Sequence, residues 1–87
     1  MTVRNKTIID VRSAGEFDLE HAKYSINIPL QEIADKIEQI CEIEGEIILC
    51  CASGTRSGMA QQILASKGID CVNGGSYFEA ENYILKQ

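Results

Sequence analysis

The sequence lacks tryptophan, contains one proline and one histidine, and has few basic residues. Eight lysines and arginines stand against thirteen acidic residues, and the net charge is −5 at pH 7. This charge argues against nucleic acid or an anionic membrane as a partner. No apolar run approaches the roughly 20 residues of a membrane-spanning helix. Because the first residues also lack the apolar stretch of a signal peptide, we expect a cytoplasmic protein.

Metal-binding and disulfide patterns are also missing. The four cysteines, Cys41, Cys50, Cys51 and Cys71, form no C-x-x-C pair, and His21 has no sulfur ligand nearby in sequence. We therefore expect neither a metal nor a cofactor. Structural disulfides are not expected, because neighbouring cysteines on a strand point to opposite faces and a cytoplasmic chain keeps its thiols reduced.

Apolar and amphipathic segments alternate along the chain without a repeat or a linker, which predicts one domain over residues 1–87. Strands are predicted at 7–11, 25–29, 46–51 and 69–72. Helices are predicted after a capping box at Ser13 and Glu16, over 30–42, from 55–57 to 67–68, and from a second capping box at Ser76 and Glu79 to about Lys86. This alternation predicts a three-layer α/β/α fold, in which a parallel sheet of four, at most five, strands has helices on both faces.

Two finer expectations concern the second half of the chain. Helical spacing predicts that the third helix turns Met59, Ala60, Ile63 and Leu64 towards the core. The Asn-Gly-Gly sequence at 73–75 predicts a turn after the fourth strand.

The segment LCCASGTRSGMA, residues 49–60, contains the candidate functional thiol. Cys51 ends the most apolar strand, and ligands of parallel sheets bind beyond the carboxyl ends of the strands. Cys50 lies one residue earlier and is expected to point into a covered face as a small hydrophobe. The alternative is that Cys51 is only a buried core cysteine before a Gly-Ser turn.

The loop after Cys51 has the composition of an anion-binding nest. Small residues let backbone N–H groups converge, and the loop leads into a helix N-terminus with its partial positive charge. Such surroundings lower the pKa of a thiol. No carboxylate occurs between Glu46 and Asp70, so the segment is locally basic. The candidate binding residues are Ala52, Ser53, Gly54, Thr55, Arg56 and Ser57.

With these motifs the chain resembles the single-domain rhodaneses, a family of sulfurtransferases. IIDVRSAGEFDLEHA, residues 8–22, resembles the family's Asp-Val-Arg opening with its later Glu-Phe and His. INIPL resembles the strand that follows, and IILCCASGTRSGMAQQILASKGI resembles the active-site segment. Lining up Arg56-Ser57 places the family's catalytic cysteine on Cys51, and Tyr24 stands where the family usually has a glycine.

The resemblance implies a persulfide mechanism without a cofactor. Cys51 would take the outer sulfur of a small anionic donor such as thiosulfate, and a thiol or a sulfur-acceptor protein would remove it. Arg56 would either bind the donor's sulfonate or brace the loop against a carboxylate. Asp10, Arg12 and Glu16 would be scaffold residues, with an ion pair between Arg12 and Glu16. A monomer is expected.

Two other functions remain open from the sequence. A phosphatase or arsenate reductase would need five residues between cysteine and arginine, whereas Cys51 and Arg56 have four residues between them. A sulfur carrier or redox-sensing binding module could use a disulfide from Cys51 to Cys50 or to Cys71. His21 is interpreted as a structural residue of a loop, although a Cys–His pair is the alternative.

Overall fold

The chain forms one sheet of four parallel strands in the order β2-β1-β3-β4. The computed structural model describes residues 5–85. The strands are β1 (Lys6–Asp10), β2 (Ile26–Asn27), β3 (Glu46–Cys51) and β4 (Val72–Ser76). The helices are α1 (Ala14–Leu19), a 3-10 helix (Leu30–Lys36), α2 (Ile37–Cys41), α3 (Thr55–Ala65) and α4 (Tyr77–Leu85). The predicted parallel α/β architecture is confirmed. None of the helices within residues 5–85 is long and apolar enough to cross a bilayer.

Strand β3 is central, and its side chains alternate between two apolar clusters. Ile47, Leu49 and Cys51 belong to the cluster that includes side chains from α3 and the 3-10 helix. Ile48 and Cys50 belong to the cluster on the other face, which includes side chains from α4. Because successive side chains of a strand point to opposite faces, the two adjacent thiols lie in different cores, as predicted.

The predicted helix over 30–42 is instead a 3-10 helix followed by the short helix α2. The step of three residues from Leu30 to Ile33 fits the three residues per turn of a 3-10 helix as well as it fits an α-helix. Ile33 and Ile40 are both fully buried, so the predicted apolar face is correct although the helix type is not.

The fourth strand was placed too early by the sequence pattern. The strand is Val72–Ser76, so the predicted turn at 73–75 lies inside β4 and residues 69–71 precede it. Gly74 is buried, and a Cβ built on it would lie 2.6 Å from Ile48 Cγ2 and 3.1 Å from Ala80 Cβ. The glycine allows α4 to pack closely on the sheet, which is a strand role that its turn-like composition hides.

Helix α3 also differs in the side chains that it buries. Ser57, Ala60 and Leu64 are buried, whereas Met59 is 46% exposed, so the prediction of Met59 as a core residue is wrong. The buried stripe is shifted because it begins at a polar residue, Ser57, which apolar periodicity does not detect. This shift places the Ser57 hydroxyl beside Cys51.

Both predicted capping boxes are present. Ser13 and Glu16 exchange hydrogen bonds at the start of α1, and Ser76 and Glu79 do so at the start of α4. The predicted helix end at about Lys86 lies outside the described residues. Tyr24, in place of the family's usual glycine, still adopts a left-handed backbone with φ 66°.

Candidate active site

The candidate site is the loop between β3 and α3, at the carboxyl edge of the sheet. Cys51 is the last residue of β3, and α3 begins four residues later at Thr55. Gly54 closes the turn with φ 101°, a left-handed conformation that glycine adopts without strain. The closed turn directs the Gly54 N–H to the Cys51 sulfur, with 3.0 Å between N and Sγ.

The Cys51 thiol is buried but acidic. Burial by itself raises its pKa, because a charge is costly away from water. The Ser57 hydroxyl and the backbone N–H groups of Ser57, Ser53 and Gly54 outweigh this effect and lower the pKa to about 7. With this pKa, a substantial share of Cys51 side chains is thiolate at neutral pH without the help of a separate base.

The thiols of Cys50 and Cys71 have raised pKa values, in contrast to Cys51. Burial, assisted by the negative charge of Asp10, raises the pKa of Cys50 to about 12. Burial and the charge of Asp70 raise the pKa of Cys71 to about 11. These two thiols remain protonated at neutral pH, which distinguishes Cys51 chemically from both.

A disulfide between Cys51 and Cys71 does not fit this fold. Val72 pairs with Ile48 in the sheet, so Cys71 lies near the level of Ile47, four residues before Cys51 on β3. Four residues of strand span about 13 Å, whereas the Cα atoms of a disulfide lie within about 7 Å. Cys71 is therefore excluded as the disulfide partner of Cys51 in the redox-sensing alternative.

Arg56 of the loop is paired with a carboxylate from α1. Its two terminal nitrogens donate to the two oxygens of Glu16, at 2.8 and 3.1 Å. The backbone N–H and the hydroxyl of Ser13 also donate to Glu16. The hydrogen bond from Arg56, followed by that from the Ser13 N–H, lowers the pKa of Glu16 to about 2, so this carboxylate is ionised at all physiological pH values.

The predicted ion pair between Arg12 and Glu16 is wrong. Arg12 instead makes a buried ion pair with Asp10, with 2.7 Å between Nη2 and Oδ2. Its Nη2 also donates to the Glu20 carbonyl, and its guanidinium lies 4.1 Å from the centre of the Tyr77 ring. The short spacing from Asp10 to Arg12 favours this pairing, because the carboxylate also accepts the backbone N–H of Arg12.

The other residues singled out from the sequence lie on the surface of the loop or outside it. Ala52, Ser53 and Thr55 are exposed, and the hydroxyls of Ser53 and Thr55 lie 3.4 Å apart. His21 is an exposed residue that stacks on Phe17 and contacts the Phe17 carbonyl, as expected for a structural role. Within residues 5–85, no group of three or more His, Cys, Asp or Glu side chains could hold a metal ion.

Sequence reasoning missed Asn73, which connects the loop to β4. Its Oδ1 accepts the Ser57 hydroxyl at 2.6 Å and the Gly75 N–H at 3.1 Å, and its Nδ2 donates to the Gly54 carbonyl at 3.0 Å. Ser57 Oγ is also 3.6 Å from Cys51 Sγ. A hydroxyl has one proton, so Asn73 competes with the sulfur for it. A polar residue near the carboxyl end of the strand beside β3 is the signal that could have identified Asn73.

The Asn73→Asp variant tests this arrangement through the ionisation of Cys51. The carboxylate would still accept from Ser57, but it could not donate to the Gly54 carbonyl and would add a negative charge near the sulfur. We expect the pKa of Cys51 to rise from about 7 by about one unit. The measurement is the rate of alkylation by iodoacetamide as a function of pH, since this rate follows the thiolate and its midpoint reports the pKa.

The matched control is Asn82→Asp. It adds the same charge on α4, beside Lys6 at the opposite edge of the sheet, and should leave the midpoint unchanged. Equal midpoints in the two variants would contradict the role given to Asn73.

Comparison with known proteins agrees with this fold. Residues 2–79 match the rhodanese-like domain family. The thiosulfate sulfurtransferase PspE of Escherichia coli strain K12 is 34% identical over 61 residues, which are 69% of this chain and 59% of that protein. The putative sulfur carrier protein YrkF of Bacillus subtilis strain 168 is 34% identical over 61 residues, which are 70% of this chain and 32% of that protein.

A solved structure described as a rhodanese with anions from Escherichia coli has the same fold. It superposes with a TM-score of 0.77 at 30% identity, covering 86% of this chain and 91% of that chain. The chain spans 59% or less of the length of the curated relatives that it matches. Its relatives include both sulfurtransferases and a putative sulfur carrier. From the fold, the cysteine loop and these matches together, the chain belongs to the rhodanese-like domain family.

Proposed function

We propose that the protein is a sulfurtransferase that moves sulfane sulfur from thiosulfate or a similar donor to a thiophilic acceptor through a persulfide on Cys51. The observation that carries the proposal is the acidic Cys51 thiol at the base of a loop whose N–H groups point at its sulfur. A thiolate is the nucleophile required, and the same N–H groups can stabilise the negative sulfur before and after transfer.

The reaction has two balanced displacements. The Cys51 thiolate attacks the outer sulfur of thiosulfate, a bond forms between the two sulfurs, and the S–S bond of the donor breaks with release of sulfite. The electron pair of that bond leaves with sulfite, and the enzyme carries a persulfide anion. An acceptor such as cyanide then attacks the terminal sulfur, forms thiocyanate and restores the Cys51 thiolate.

The names of the relatives support the donor class. PspE is described as a thiosulfate sulfurtransferase, and a yeast relative, 33% identical over 76 residues, is described as a thiosulfate:glutathione sulfurtransferase. We infer a small anionic donor and a thiol or a sulfur-acceptor protein as partners. A reducing cytoplasm is the compartment in which Cys51 would stay a thiol between turnovers.

A sulfur carrier without turnover of its own is the second candidate, because YrkF is described as a putative sulfur carrier. Both functions use a Cys51 persulfide, and they differ in whether free donor and acceptor are processed repeatedly. A phosphatase is disfavoured by the loop itself. Its four residues between Cys51 and Arg56 fit the one extra atom of a persulfide better than a tetrahedral oxyanion.

The test uses the reduced protein and thiosulfate. The intact mass should increase by one sulfur atom, and addition of cyanide should return the original mass and produce thiocyanate over many turnovers. A single equivalent of thiocyanate would favour the carrier, whereas absence of sulfur loading from both thiosulfate and polysulfide would refute the proposed function.

A further inference from the structure

Both arginines within residues 5–85 are paired with a carboxylate. Arg12 donates from Nε to Asp10 Oδ1 and from Nη2 to Asp10 Oδ2 in the interior, where the Arg12 side chain is 6% exposed. Arg56 makes its contact with Glu16 at the rim, where the two side chains are 35% and 39% exposed. The positive character of the loop therefore comes mainly from backbone N–H groups and from the start of α3.

The pairing of Arg56 matters because it is the arginine of the cysteine loop itself. The N–H groups of Arg56 that donate to Glu16 are not available to donate to the sulfonate of an incoming donor. The Glu16 carboxylate accepts hydrogen bonds from the backbone N–H and the hydroxyl of Ser13 at the N-terminus of α1, and these hold it in place. An anionic donor must displace this carboxylate or approach Cys51 without help from Arg56.

We propose that Glu16 is a specificity-determining residue, which competes with anionic donors for Arg56 and disfavours doubly charged donors relative to less charged ones. The inference rests on the proposed function, since it concerns the donor of that reaction. It assigns Glu16 a role beyond the scaffold, because the capping box alone would be satisfied by glutamate or glutamine.

The Glu16→Gln variant separates the two roles. Glutamine at this position can still accept from Ser13 and complete the capping box, so α1 should remain folded. It removes the charge that competes for Arg56. The matched control is Glu20→Gln, which makes the same change of net charge at the end of α1, where the carboxylate accepts from the Tyr77 hydroxyl and not from Arg56.

The readout compares two alkylating reagents of similar size, iodoacetate with one negative charge and neutral iodoacetamide. Both react with the Cys51 thiolate, so the ratio of their rate constants cancels any change in thiolate fraction. We expect the ratio of iodoacetate to iodoacetamide to rise about tenfold in Glu16→Gln, the scale of one regained charge-assisted hydrogen bond. Glu20→Gln should stay within about twofold of the wild type, as expected for a screened surface charge. The KM for thiosulfate should fall in parallel in Glu16→Gln.

The outcomes distinguish this inference from the proposed function. An unchanged ratio in Glu16→Gln, or an equal rise in Glu20→Gln, overturns the role of Glu16 even when thiosulfate loads normally. A raised ratio in Glu16→Gln alone upholds that role. If thiosulfate and polysulfide then load no sulfur on any variant, the proposed function fails while Glu16 still controls the access of anions to Cys51.

Discussion

The Cys51→Ser variant will take up no sulfur from thiosulfate, and its thiocyanate production will fall by at least about 10³-fold, the scale seen when a nucleophile is removed. A serine hydroxyl is not ionised at neutral pH and cannot form a persulfide. The fold should persist, because Cys51 contributes one small side chain to its apolar cluster. The measurements are the intact mass after thiosulfate, the thiocyanate assay and a thermal unfolding curve.

The matched control for this variant is Cys50→Ala. Cys50 is fully buried in the opposite core and its pKa is raised to about 12, so its removal should leave sulfur loading intact. Alanine avoids burying an unpaired hydroxyl, although the cavity will lower the melting temperature. If Cys51→Ser still loads sulfur and Cys50→Ala does not, Cys50 is the thiol that carries the sulfur and the role given to Cys51 is wrong.

The Asp10→Asn variant will lose a large part of the stability of the domain. Asp10 has no exposed surface and accepts the backbone N–H, Nε and Nη2 of Arg12. Asparagine has nearly the same shape but leaves the guanidinium of Arg12 buried without a counter-charge. Removing one partner of a buried ion pair costs about 3–5 kcal/mol, out of the roughly 5–15 kcal/mol that stabilises a typical domain.

Urea unfolding followed by circular dichroism measures this loss as a lower midpoint concentration. The control is Glu16→Gln, which breaks the ion pair with Arg56 at a half-exposed rim where water screens the charges. Its midpoint should move much less than that of Asp10→Asn. Equal shifts would show that the Asp10–Arg12 pair does not stabilise the sheet beyond an ordinary surface pair.

Local sequence patterns were sufficient to predict the elements that depend on near neighbours. The strand at 46–51, the two capping boxes and the alternation of strands and helices are all present in the structure. A pattern that is compatible with two structures, a turn or a strand, was misinterpreted. The Asn-Gly-Gly sequence of β4 has turn composition, yet Gly74 lies in a strand because α4 and Ile48 leave no space for a side chain there.

By itself, the sequence determined that Cys51, and not Cys50, is the thiol at the end of β3 beside the loop. A strand alternates its faces, so the residue at its end and the residue before it cannot share one environment. Only the tertiary structure decided the partners of the loop. Arg56 meets Glu16 across 40 residues of chain, and Asn73 reaches Ser57 across 16. Such contacts depend on which strands are neighbours in the sheet, a choice made by packing of the whole core and not by any local pattern.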